Sequence, residues 1–283
     1  MPIHPIIEMD ELKNQLSDES LRIIDCRFSL QDVTWGFHSY ELSHIIGATY
    51  ADLNKNLSSK IGSKTGRHPL PFENDFVAFI QESGISNHSH VVAYDEASGS
   101  MAASRLWWLL RAYGMQNVQV LNGSFSDWVA MGYPVASQKT HYSHGSFKGK
   151  LNPDWIVDAA AVNKARIDSD KILIDARSHD RFIGQNEVID NVAGHIPGAV
   201  NRPVLDNLAA NKKLKPAFEL KADFLALIGD INPENVILYC GSGATACFNH
   251  LAMEIARLHG AKIYPGSWSE WITDPSHKIA TGE

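Results

Sequence analysis

The chain is poor in cysteine, with three among 283 residues. So small and odd a number does not make the disulfide framework of small secreted folds, and free thiols in a reducing cytoplasm are expected. No run approaches the roughly 18 apolar residues of a membrane-spanning helix. The opening stretch, MPIHPIIEMDELKN, has neither the basic start nor the long apolar segment of a secretory leader. Positive charge is also scarce: 25 Lys and Arg against 32 Asp and Glu leave a formal charge of -7. That balance argues against a nucleic-acid-binding surface, whose mark is a basic patch. The 13 histidines show no ligand-like spacing with the cysteines, so no metal centre is expected. What is present is a globular composition, 44% hydrophobic and 20% charged, in a chain long enough for two domains with a core each.

Four blocks recur in the same order in the two halves. Leu21 to Arg27 (LRIIDCR) is echoed by Ile172 to Arg177 (ILIDAR), and His44-Ile-Ile-Gly-Ala48 by His195-Ile-Pro-Gly-Ala199. Val91-Val-Ala-Tyr-Asp95 is echoed by Val236-Ile-Leu-Tyr-Cys240, and Asn122-Gly-Ser-Phe-Ser-Asp-Trp128 by Pro265-Gly-Ser-Trp-Ser-Glu-Trp271. Such self-similarity marks an internal duplication. Within each half, short Ile- and Val-rich runs read as buried strands. Amphipathic stretches such as Phe72 to Glu82, with Phe72, Phe76, Phe79 and Ile80 near helical spacing, read as helices. The alternation predicts an α/β protein of two tandem domains, each a mainly parallel sheet flanked by helices on both faces. The polar, aperiodic stretch from Ser137 to Lys150 is the natural linker. The expected division is residues 1–138, a linker at 139–152, and residues 153–283.

The halves differ at one loop. After the Val-Ile-Leu-Tyr strand comes Cys240, then Gly241-Ser242-Gly243-Ala244-Thr245, then an apolar helical stretch; the first half has Asp95 at that point. The first amides of a helix lack internal partners, and the helix dipole adds positive charge there. A thiol at such a turn is favoured as thiolate, below the usual value of about 8.5. Gly241 and Gly243 let the loop curl its N–H groups inward.

The loop also fits parts of other patterns. Gly241-x-Gly243-x-x-Ala246 fits a dinucleotide fingerprint, but the acidic residue expected about twenty positions on is missing from Gly260-Ala-Lys-Ile-Tyr264. A cysteine phosphatase needs an arginine where Ala246 stands, to clamp phosphate bidentately. The plain alternative is a buried, inert cysteine, against which the divergence of this loop on a retained scaffold argues.

These blocks, with Ser104-Arg-Leu-Trp-Trp108, resemble the tandem-domain rhodanese family of sulfurtransferases, and within it the 3-mercaptopyruvate sulfurtransferases. The likeness runs from Ile24 to Trp271. It implies a catalytically inactive first domain, with Asp95 at the nucleophile position, and a second domain whose Cys240 carries sulfur as a persulfide. The donor would be 3-mercaptopyruvate or thiosulfate. The acceptor would be cyanide or a thiol, including that of a thioredoxin-like protein, with no organic cofactor. Thiosulfate enzymes carry basic residues in the loop after the cysteine, whereas mercaptopyruvate enzymes carry Gly-Ser-Gly-Val-Thr. This chain follows the second pattern except for Ala244.

The resemblance also assigns roles. Ser242 would hydrogen-bond the sulfur or relay a proton to the leaving enolate, and Gly241, Gly243, Ala244 and Thr245 would line the substrate site. Arg181 matches the arginine that grips the substrate's anionic group, for which a planar fork suits better than lysine. A second family arginine is missing, since Glu187 to Gly194 has no basic residue; this departure leaves thiosulfate open. His68 matches a histidine that approaches the cysteine across the domain interface. Asn54 falls where some relatives have an acid and cannot act as a base. Arg177 repeats Arg27 and is read as scaffold, and Cys26 and Cys247 as core. Two rival readings stand beside the enzyme: a persulfide carrier for a partner protein, and a thiol redox sensor pairing Cys240 with Cys247.

Overall fold

A computed structural model describes residues 3–283. The strands in chain order are β1 (Ile6–Ile7), β2 (Leu21–Asp25), β3 (His44–Ile45), β4 (Ala48–Tyr50), β5 (His90–Tyr94), β6 (Val118–Leu121), β7 (Val135–Ala136), β8 (Ile172–Asp175), β9 (Ala199–Asn201), β10 (Val236–Tyr239) and β11 (Lys262–Ile263). They form two parallel sheets, ordered β1-β6-β5-β2-β4 and β11-β10-β8-β9, and β3 and β7 make a small antiparallel ribbon. All residues of β5, β6 and β10 are buried, as expected of strands covered on both faces by helices.

The chain divides into two compact units that are not contiguous in sequence. One comprises the chain up to Ser59, Leu70–Asn152 and Ala210–Leu214; the other comprises Lys60–Pro69, Pro153–Ala209 and Lys215–Glu283. The segment carrying Arg67 and His68 thus belongs to the same unit as Cys240.

The sequence repeat is also a repeat of packing. Asp25 pairs with Arg27 at 2.6 Å, and Asp175 with Arg177 at 2.6 Å, all four buried. In each unit the arginine also donates to a backbone carbonyl, Ser43 in one and Gly194 in the other. The tyrosine ending the central strand accepts from the Ile45 N–H in one unit and the Ile196 N–H in the other. Even the minor pairings recur: β1 with β6 corresponds to an isolated parallel bridge between Ile156 and Ile263, and the β3–β7 ribbon to an antiparallel bridge between His195 and Ala280. A buried arginine paired in both units is a scaffold element, because removing either partner would leave a charge unmatched in the interior.

The stretch from Phe72 forms a helix that begins one residue later, at Glu73–Glu82. Phe76, Phe79 and Ile80 are buried as the spacing predicts, but Phe72 sits outside the helix in extended conformation and is 67% exposed. Residues 139–152 have no regular structure, yet they are pinned to the first unit. Gly145 N–H donates to Gln81, Phe147 N–H to Ile85 and Asn152 N–H to Ala112, and the Phe147 ring is fully buried. A side chain at Gly145 would meet the Ile85 carbonyl, which accounts for glycine there. No helix among the described residues is long and apolar enough to cross a membrane.

Candidate active site

Cys240 follows β10 directly and is 1% exposed. Its sulfur accepts from the amides of Gly243 at 3.1 Å and Ser242 at 3.4 Å. The Ala246 amide and the Thr245 hydroxyl also point to it. Thr245 occupies the N-cap of the helix Ala246–Ile255 and makes no side-chain cap, which leaves its hydroxyl available to lower the thiol. Burial pushes the Cys240 thiol up. The hydrogen bonds from Thr245, Ser242, Ala246 and Gly243 outweigh it, and the thiol lies below its ordinary value. Cys26 shows the opposite: burial, aided by Asp25 and Asp95, pushes it well up. Burial therefore raises a thiol in either unit; the inward-facing donors are what bring Cys240 down.

The sign of the pH dependence follows. If the thiolate is the species that attacks a donor's sulfur, the rate of sulfur uptake should rise with pH and level off above a midpoint below that of an ordinary thiol. In Thr245→Val, loss of the hydroxyl removes a donor to the thiolate, and the midpoint should move up. A pH–rate profile of single-turnover sulfur loading checks this; an unmoved midpoint would mean that Thr245 does not hold the sulfur.

The loop is held from behind by the Gly266-Ser-Trp-Ser-Glu-Trp271 block. The Cys240 N–H donates to the Ser267 hydroxyl, which donates to the Tyr264 carbonyl. The amides of Trp268 and Ser269 donate to the carbonyls of Cys240 and Gly241. The two loop glycines have different reasons. Gly243 has φ +78, and a Cβ there would lie 2.2 Å from the Pro265 carbonyl oxygen. Gly241 does not have positive φ; a Cβ there would lie 2.7 Å from the Arg67 guanidinium.

The first unit keeps the same cradle with a permanent occupant. The Asp95 carboxylate accepts from the amides of Ala97, Gly99, Met101 and Ala103 at 2.8 to 3.2 Å. Burial lifts its pKa while those four amides pull it back. An anion site already filled by a fixed carboxylate has no room for a second anion.

Ser242 and His68 are buried and meet at 2.7 Å through Oγ and Nδ1. Arg181 lies beside the loop, its Nη atoms 3.5 and 3.7 Å from where a Gly241 Cβ would be. It is bound to Glu187 at 2.9 Å and Asp190 at 3.1 Å. Ala244 is buried and Thr245 half-buried. Cys247 is fully buried and donates to the Gly243 carbonyl at 3.3 Å, so it braces the turn; Cys240 and Cys247 are not joined in a disulfide. Asn54 belongs to the other unit and is exposed there.

Four residues escaped the linear reading: Arg67, Ser267, Glu187 and Asp190. The Arg67 guanidinium bridges to Asp190 and faces Gly241, its pKa lowered by burial and raised in turn by the Cys240 charge. Arg67 directly precedes His68, which was the available signal. For Glu187 and Asp190 the signal was two acids in a stretch without a base.

A thiol at a strand-to-helix turn, polarised by loop amides and mirrored by a carboxylate in a second copy of the same α/β domain, defines a duplicated-domain protein with two anion cradles, one holding a thiol and one a carboxylate. The chain belongs to the rhodanese-like domain family, whose model matches residues 8–131 and 159–274. It is 38% identical over 280 residues, 98% of each chain, to a protein of Pseudomonas aeruginosa named as a probable 3-mercaptopyruvate sulfurtransferase. It is 31% identical to the thiosulfate sulfurtransferase of Mus musculus over 93% of this chain and 90% of that one. Among solved structures it resembles the 3-mercaptopyruvate sulfurtransferase of Leishmania major, with TM-score 0.83 and 30% identity, over 96% of this chain and 75% of that one.

Proposed function

We propose that the protein is a sulfurtransferase that takes sulfur from 3-mercaptopyruvate onto Cys240 and passes it to cyanide or a thiol, such as that of a thioredoxin-like protein in the cytoplasm. The observation that carries this reading is the Cys240 sulfur inside a ring of inward amides, with the thiol below its ordinary value despite full burial.

In the first half-reaction the Cys240 thiolate attacks the donor's thiol sulfur. The new S–S bond forms as the donor's C–S bond breaks, and the electron pair stays on carbon as the enolate of pyruvate. The proton of the donor thiol ends on that carbon, giving pyruvate, and Cys240 is left as a persulfide anion. The Ser242–His68 couple lies within reach of this proton transfer, Ser242 passing a proton that His68 can accept or return. Which His68 nitrogen bears the proton is set by that hydrogen bond. The loop amides then hold the terminal sulfur, as they hold the thiolate before it. A second nucleophile attacks the terminal sulfur and restores Cys240.

The charge around the site favours a monoanionic donor over dianionic thiosulfate. Residues 241–245 carry no cation, and both guanidinium groups beside the loop are already matched by Glu187 and Asp190. A comparison of kcat/KM should therefore favour 3-mercaptopyruvate over thiosulfate by about 100-fold or more, equivalent to roughly 2.7 kcal/mol. A preference for thiosulfate would reverse the donor assignment and leave sulfur transfer standing.

A further inference from the structure

The loop from Glu187 to Asp190 is built inside out. Val188 is 81% exposed and Ile189 41% exposed, while the flanking carboxylates of Glu187 and Asp190 are only 2% and 4% exposed. Acids turn away from water at this cost only when cations hold them. The two are not equivalent. Glu187 accepts from the loop's own amides at Ile189 and Asp190, and from Arg177 as well as Arg181, so it is part of the loop's construction. The ion pairs of Asp190 are with Arg67 and Arg181, the two guanidiniums that face Gly241 next to Cys240. Arg67 Nε is buried and finds no acceptor among the described residues, so its fork is not fully used by Asp190. The loop is tied down on either side of Asp190, by Glu187 and by the Val192 carbonyl, which accepts from Trp268 at 2.9 Å. Between these ties the Asp190 side chain is held by the two guanidiniums.

We propose that Asp190 is an internal competitor for the donor's carboxylate: it bridges Arg67 and Arg181, and an anionic donor must displace it to reach Cys240. This deepens the sulfurtransferase reading and rests on it for the identity of the donor. Asp190 lowers affinity for every monoanion at the site and denies a second negative charge the cationic excess it needs. It is a specificity-setting residue that does not touch the reacting sulfur.

The test is anion binding to the full chain, which needs no turnover. Titration calorimetry with pyruvate and with inorganic sulfate compares the wild-type protein with Asp190→Asn, which keeps the shape and removes the charge. Pyruvate should bind the variant about tenfold more tightly, the scale of one charge-assisted contact no longer in competition, and dianionic sulfate should gain more than that. With 3-mercaptopyruvate the gain should appear as a lower KM, not a higher kcat. Unchanged or weaker binding of both anions would overturn the proposal.

A second measurement uses the wild-type protein alone, should the variant fold poorly. Saturating pyruvate should speed amide exchange at Val188 to Asn191 several-fold as the loop is released, and slower or unaltered exchange counts against displacement. Failure of Cys240 to gain sulfur from any donor would sink the enzyme reading while leaving the anion-binding result to judge Asp190 separately.

Discussion

Cys240→Ser protein will gain no sulfur from 3-mercaptopyruvate and will show at least a ~10⁴-fold loss of turnover, because a serine hydroxyl is not ionised at neutral pH and forms no persulfide. The replacement is nearly isosteric, and the ring around position 240 is made of donors that a hydroxyl oxygen also accepts. Thermal stability should therefore change by no more than about 1 kcal/mol. Intact-mass measurement after incubation with donor reads the effect directly: one added sulfur atom on the wild-type chain, none on the variant. Cys26 supplies the internal comparison, since burial and two carboxylates hold its thiol up. Sulfur found on Cys26, or turnover by the variant above about 1% of wild type, would remove Cys240 from the centre of the mechanism.

The second large effect belongs to Gly243. Alanine there faces two obstacles at once: a left-handed backbone at φ +78, and the Pro265 carbonyl 2.2 Å from the new Cβ. Strain of the first kind costs roughly 1–3 kcal/mol. The second obstacle matters more for function. Pro265 leads into Ser267 and Trp268, which hold the Cys240 backbone, and the Gly243 amide makes a shorter contact to the sulfur than the Ser242 amide does. Moving either element misaims the donors that stabilise the thiolate and the persulfide. We expect sulfur uptake to fall about 10²- to 10³-fold, in line with loss of one preorganised donor to an anion. Gly229→Ala is the control, for Gly229 also has positive φ (58) but nothing within 4 Å of a Cβ. It should lose stability with no change in sulfur loading. If Gly243→Ala behaves like Gly229→Ala, the amide ring is not what tunes Cys240.

Much of this was legible along the chain because it depends on local chemistry. Strands, helices and turns are set by short-range apolar periodicity, so the duplicated α/β plan, the buried central strands and the strand–loop–helix around Cys240 follow from the order of residues alone. The absence of a side chain at Gly243 and the Asp95-for-Cys240 exchange carry their meaning in the same way. The missed boundary at Phe72 has an equally local cause, since an aromatic residue at an N-cap fits helical spacing whether or not it is inside the helix.

What lies beyond that is decided by which distant segments meet, and linear order does not encode it. Residues 60–69 precede Cys240 by about 170 positions in the chain, yet they are built into its unit and bring His68 to Ser242 and Arg67 to Gly241. Whether a carboxylate such as Asp190 faces water or two guanidiniums depends on the fold around it, because charge interactions act through space and burial multiplies them. The sequence alone thus determined the scaffold and which sulfur stands at its strand-to-helix turn; the tertiary structure alone decided the electrostatic company that atom keeps.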